Sequence, residues 1–151
     1  MKSNSFSKRD GSNYTFAIVR ARFNAEVTEG LLFGALKALS ESNVPEKQIM
    51  LYEVPGSYDI PYGIHAALKG KKPDAIICLG AIVKGETMHD QVIAHAVFGD
   101  LLRLEQEYSV PITLGILTTH DMEQARTRSA NNEVNAGYQA VRAAVELLYL
   151  G

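Results

Sequence analysis

The sequence predicts one α/β domain, a three-layer α/β/α sandwich built on a four-stranded parallel sheet. Three observations carry this expectation. From Tyr14 onward, short apolar runs alternate with segments of helical periodicity. Each of the four apolar runs is followed by a helical stretch, the pattern of a parallel sheet with right-handed crossovers and helices on both faces. A chain of 151 residues is the size of one domain and buries roughly 70% of its unfolded surface, enough for a core without staples.

The elements follow in order. Thr15 to Val19 reads as the first strand. Asn24 looks like a helix cap, and Val27, Leu31, Leu32, Ala35, Leu36 and Leu39 follow at helical spacing, with Pro45 just beyond the end. Ile49 to Val54 is the second strand, stopped by Pro55-Gly56. Asp59 can cap a short helix whose apolar face holds Ile60, Ile64, Ala67 and Leu68, and Gly70 closes it. Ala75 to Leu79 is apolar throughout and suits a strand covered on both faces. A loop is expected from Gly80 to about His89. A long helix then carries Val92, Ile93, Ala96, Val97, Leu101, Leu102 and Leu104 and ends before Pro111. Ile112 to Leu117 is the fourth strand; a short helix around Met122 to Arg128 and a last one from about Ala136 to Leu150 complete the chain.

Composition removes several function classes. Fifteen basic and 17 acidic residues give a formal net charge of -2, so no basic excess points to nucleic acid or an anionic membrane as partner. The one cysteine, Cys78, excludes an internal disulfide framework and a cysteine-based zinc site; its apolar run makes it a buried small hydrophobe. No apolar stretch approaches the ~20 residues of a membrane span. The polar segment from Met1 to Asn13 lacks the apolar centre of a secretion signal, so a cytoplasmic location is expected, with residues 1–13 as a polar tail and 14–151 as the folded domain.

An open parallel sheet binds ligands outside the carboxyl ends of its strands, which directs attention to the four loops there. Gly85-Glu86-Thr87 lies at the entry to the long helix, where unpaired N–H groups and the helix dipole favour an anion. It reads either as a phosphate cradle or as a plain helix cap with Thr87 as the capping residue. His89 stands beside it, either as a proton-transfer group or as an ordinary histidine. Phe23, between Arg22 and Asn24, is either a ring for stacking on a flat heterocycle or a staple onto the first helix. Ser57, Tyr58 and Asp59 suit a polyol chain, while Asp59 alone reads as an N-cap. Of Arg126 and Arg128, one can clamp an anion or both can form a solvated face. His65 and His95 lie within helices and read as structural; Asp121, beside His120, can cap the next helix. The four histidines show no metal-ligand spacing.

Four segments together carry a resemblance. They are Ala21-Arg22-Phe23-Asn24, Val54-Pro55-Gly56-Ser57-Tyr58-Asp59-Ile60-Pro61, Gly80 through His89, and Pro111 through Thr119 with Glu123-Gln124-Ala125. In this order and spacing the chain resembles the 6,7-dimethyl-8-ribityllumazine synthase family of riboflavin biosynthesis from about Phe16 to Leu148. The resemblance implies a flavodoxin-like sheet and a transferase that condenses 5-amino-6-(D-ribitylamino)uracil with 3,4-dihydroxy-2-butanone 4-phosphate. It implies no metal or organic cofactor, and a homo-oligomer, a pentamer or a larger shell, with sites between subunits. Carried over by position, Phe23 would stack on the pyrimidine ring. Ser57, Tyr58 and Asp59 would bind the ribityl chain and ring. Ala81, Ile82 and Val83 would hold the uracil edge through their backbone. Glu86 and Thr87 would bind phosphate, His89 would transfer protons, and Leu114 and Arg128 would come from the adjacent subunit, Arg128 on the phosphate.

The chain departs from the family pattern in places. Asp59 stands where glutamate is usual, Leu114 where phenylalanine is usual, Met88 where proline is common, and Asn135-Ala136-Gly137 lacks a usual lysine. These departures define the alternative, a non-catalytic flavin- or lumazine-binding scaffold of the same fold. A receiver domain is disfavoured because Arg22-Phe23-Asn24 supplies no acid cluster after the first strand, and an electron carrier because it supplies no hydroxyl-rich phosphate loop.

Overall fold

The computed structural model describes residues 9–86 and 89–150. Its elements are β1 (Phe16–Ala21), α1 (Ala25–Glu41), β2 (Ile49–Val54), α2 (Ile60–Lys69), β3 (Ala75–Val83), α3 (Asp90–Tyr108), β4 (Ile112–Thr119), α4 (Met122–Arg128) and α5 (Ala136–Leu148). The strands form one sheet in the order β2-β1-β3-β4, and every pairing is parallel. The three-layer α/β/α architecture predicted from the alternating pattern is therefore the one observed.

Strand alternation sorts the core into two layers. Phe16 and Ile18 of β1, with Ala75, Ile77, Leu79, Ala81 and Val83 of β3, pack against α1, α4 and α5 through Leu31, Leu39, Ala125, Val141 and Val145. Their neighbours Ala17, Val19, Ile76, Cys78 and Ile82 pack on the opposite side against α2 and α3 through Ile60, Ile64, Val97 and Leu101. Each fully buried Leu, Ile or Phe side chain in these layers contributes about 1.5–3 kcal/mol of transfer free energy. β1 and β3 are buried along their whole length, as central strands of a doubly covered sheet must be.

Two of the predicted edges that moved have physical reasons. β1 begins at Phe16 and runs to Ala21, because Thr15 is tied instead to Asp74, whose carboxylate accepts from the Thr15 N–H at 2.7 Å. β3 does not stop at Leu79 but continues to Val83, so the expected loop from Gly80 begins only after Val83. Gly80 is not a turn: a Cβ there would stand 2.7 Å from Ser57 Oγ and 3.2 Å from Ile60 Cδ1. The glycine is the residue that lets the segment before α2 lie against the strand. At the last helix, α5 ends at Leu148 rather than Leu150.

The ends of the described chain meet. Tyr149 Oη donates to the Asp10 carbonyl at 2.5 Å, the Arg9 guanidinium sits over the Tyr149 ring at 4.9 Å, and Tyr14 meets that ring edge-on. Gly11 N–H donates to the Ser42 carbonyl at 2.7 Å. Among the described residues, no helix is long and apolar enough to cross a membrane.

Candidate active site

The site grows from the carboxyl ends of β1, β2 and β3. Beyond the end of β1, Arg22 N–H donates to the Val54 carbonyl at 2.8 Å and Phe23 N–H to the Pro55 carbonyl at 2.9 Å. The strand pairing thus extends past both strands and fixes Phe23 beside the β2 loop, with the residue 56% exposed. That loop is a short 3-10 turn, Ser57–Asp59. The Asp59 carboxylate accepts from Gly56 N–H at 2.9 Å, which closes the turn. It does not cap α2, where Asp59 makes no side-chain cap; the expected cap is corrected to a brace one turn earlier.

After β3 the chain reverses through Lys84 and Gly85. Glu86 N–H reaches the Val83 carbonyl at 3.3 Å, and Gly85 holds φ 88°, the third-position conformation that glycine adopts without steric cost. Asn24 ties this loop down. It occupies the N-cap of α1 at φ 60°, ψ 51°, yet its side chain caps nothing on that helix. Its Nδ2 donates instead to Glu86 Oε1 at 2.9 Å and to the Ala81 carbonyl at 3.3 Å. The predicted cap position is right and the predicted side-chain role is not.

These segments enclose a cavity of about 250 Å³, lined among others by Phe23, Ser57, Tyr58, Ile82, Glu86 and Ile93. Gly56, Ala81, Val83 and Asp90 complete its walls. The structure therefore brings together seven of the residues that the sequence singled out: Phe23, Ser57, Tyr58, Ala81, Ile82, Val83 and Glu86. Asp59 borders a neighbouring groove between α2 and α3 instead. His89 is exposed just before α3, and its carbonyl accepts from Ile93 N–H at 2.8 Å; it is not among the residues lining the cavity. Leu114 is 46% exposed in mid-β4, and Arg128 ends α4; neither lines this cavity. Thr87 and Met88 lie outside the described residues. Arg126 pairs with Glu26 at 3.3 Å.

Sequence reasoning missed Gly56, Asp90 and Ile93 as lining residues. Ile93 follows His89 by one helical turn, so the 3.6-residue period held the signal. Lys84, His95 and His120 line a separate recess across the first turn of α3. Among the described residues, no group of three or more His, Cys, Asp or Glu is placed to hold a metal ion.

Strand order 2-1-3-4 makes the sheet reverse its winding between β1 and β3, and ligands of open α/β sheets sit at such a switch point. The cavity between Phe23 and Ala81–Val83 is there. Fold and cavity define a doubly wound α/β protein that takes a small molecule at the carboxyl edge of its sheet.

Comparison with known proteins resolves the class further. The family model for 6,7-dimethyl-8-ribityllumazine synthase matches residues 13–151, and the chain belongs to that family. A relative of that name from Buchnera aphidicola is 42% identical over 137 residues, covering 90% of this chain and 86% of the relative. One from Kosmotoga olearia is 39% identical over 140 residues, covering 93% and 90%. One from Campylobacter hominis is 37% identical over 134 residues, covering 89% and 86%.

Proposed function

We propose that this chain forms 6,7-dimethyl-8-ribityllumazine from 5-amino-6-(D-ribitylamino)uracil and 3,4-dihydroxy-2-butanone 4-phosphate. The family match over residues 13–151 supports the reaction. The observation that carries the site is the cavity itself, which gathers Phe23, Ser57, Tyr58, Ala81–Val83 and Glu86 from three loops at one sheet edge.

In this reading the pyrimidine stacks on the exposed Phe23 ring and its edge meets the backbone of Ala81, Ile82 and Val83. The ribityl chain runs over Ser57 and Tyr58 towards Asp59. The phosphate lies on the loop Gly85–Thr87 at the start of α3. The substrate's 5-amino group attacks the ketone and water leaves to give an imine. A proton passes from C3 to His89, phosphate departs from C4, and the resulting enol becomes a methyl ketone. The ribitylamino nitrogen then closes the ring with loss of a second water. Holding both substrates in one cavity removes much of the entropic barrier, and a placed proton-transfer group adds typically 10²–10⁴-fold.

Leu114 and Arg128 belong to the adjacent subunit's site, with Arg128 on its phosphate. Their position away from their own chain's cavity fits a site shared between subunits of a homo-oligomer. With the family reading go a pentamer as the basic assembly, a cytoplasmic location and a folded unit of residues 14–151. The test mixes purified protein with both substrates and follows lumazine absorbance and fluorescence. Formation should appear in the wild type and fall about 10²-fold or more in His89→Ala. Native mass spectrometry should show multiples of 16.5 kDa. No lumazine, or a monomer that makes it, would overturn the reading.

A further inference from the structure

A carboxylate at the cavity rim poses a problem that Asn24 answers. Glu86 lines the cavity on the loop that the proposed function assigns to the phosphate. A free carboxylate there would repel a dianion. Its Oε1 is held at 2.9 Å by Asn24 Nδ2, and the same nitrogen lies 3.3 Å from the carbonyl of Ala81. The carboxylate is thereby drawn over the end of β3, and the loop after β1 is joined to the loop after β3 by one amide.

The backbone of Asn24 is the second observation. Three described non-glycine residues have positive φ, namely Asn24, Asn43 and Ser109. Asn43 and Ser109 lie just past the ends of α1 and α3, where left-handed residues are routine. Asn24 instead opens a helix, where an extended conformation is usual and the side chain normally accepts from the first turn. It gives up that cap, and its left-handed backbone goes with an amide that donates to Glu86 and Ala81.

Resting on the reaction proposed above, we propose that Asn24 is a positioning residue that sets the affinity for the phosphorylated ketone by holding the Glu86 carboxylate away from the anion. The aminouracil meets Asn24 only through the Ala81 carbonyl, at 3.3 Å the longer of its two hydrogen bonds, and depends on it less.

Three variants separate the hydrogen bond from the backbone. Asn24→Gly keeps the left-handed conformation and removes the amide. Asn24→Asp keeps the shape and sets a carboxylate against Glu86. Asn24→Asp combined with Glu86→Gln restores the bond with donor and acceptor exchanged. In steady-state assays, KM for the ketone phosphate should rise about three- to tenfold in Asn24→Gly and further in Asn24→Asp, while KM for the aminouracil changes less than about twofold. The double variant should recover most of the loss seen in Asn24→Asp, a rescue that general loosening of the fold would not give. Equal changes in both KM values, a loss confined to kcat, or no rescue would overturn the assignment. Titration with inorganic phosphate gives a second readout. Its apparent affinity should weaken in Asn24→Asp relative to wild type, and an unchanged affinity would overturn the assignment even if the wild type forms no lumazine. Absence of lumazine in the wild type would by itself sink only the proposed reaction.

Discussion

Gly137 shows how tightly single residues are specified where α5 crosses α1. A Cβ on Gly137 would overlap the Leu31 carbonyl, and one on Gly34 would overlap the Asn135 amide. Neither contact can be relieved by turning a flexible side chain, because the obstruction is backbone in the first case and a fully bonded amide in the second. Gly137→Ala should therefore lower unfolding free energy by about 1–3 kcal/mol, read from the urea midpoint. A variant as stable as wild type would mean that the helices separate at no cost. Other single residues were legible in the sequence. Cys78 is fully buried, and burial pushes its thiol well above the ordinary range, as an apolar run implies. Asp121 accepts from Gln124 N–H at 2.8 Å and caps α4 as its position suggests. Asp59 was not legible, because a carboxylate before a helix can accept either forward or backward, and only the fold of Gly56–Asp59 decides.

At the scale of elements, the start of α5 depends on one buried side chain. Asn135 Oδ1 accepts from Gly137 N–H at 2.9 Å and Tyr138 N–H at 3.1 Å, satisfying two open donors of the first turn. Its Nδ2 faces the carbonyls of Gly30, Ser129 and Ala130, each at 3.0 Å. Asn135→Ala removes the cap and takes the Nδ2 donor from those carbonyls, of which Ala130 keeps a second donor in Asn132 N–H at 2.8 Å. The expected loss is about 2–4 kcal/mol in chemical denaturation; a loss below about 0.5 kcal/mol would show that the cap is replaceable. Helices and strands themselves were readable from periodicity, because each buries one face against one layer. The longest misread stretch began at a glycine. Gly80 looked like the end of β3, but the apolar alternation resumes at Ala81 and the strand continues. Gly115 sits in mid-β4 in the same way, 2.7 Å from Leu79 Cδ2 if it carried a Cβ. A strand glycine signals close approach as readily as a turn, and the approaching atoms come from elsewhere in the chain.

At the scale of the molecule, the sequence indicated a parallel sheet but not its order. Order depends on which strands meet after helices have been laid across them, and no local pattern encodes that choice. The candidate site was legible as a set of loops because a parallel sheet sends all its carboxyl ends to one edge. The union of Phe23 with Ala81–Val83 needed β1 and β3 to be neighbours. The contact of Tyr149 with Asp10 spans 139 residues, and it makes the two ends of the described chain a single latch. Fraying at one end is then transmitted to the other without any opening of the sheet. In Tyr149→Phe, native-state deuterium uptake at the Gly11 amide should quicken about threefold, with the β3 amides unchanged; equal protection at Gly11 would mean that the ends loosen independently. Mechanically the described chain is a ring, closed by a phenol on a main-chain oxygen.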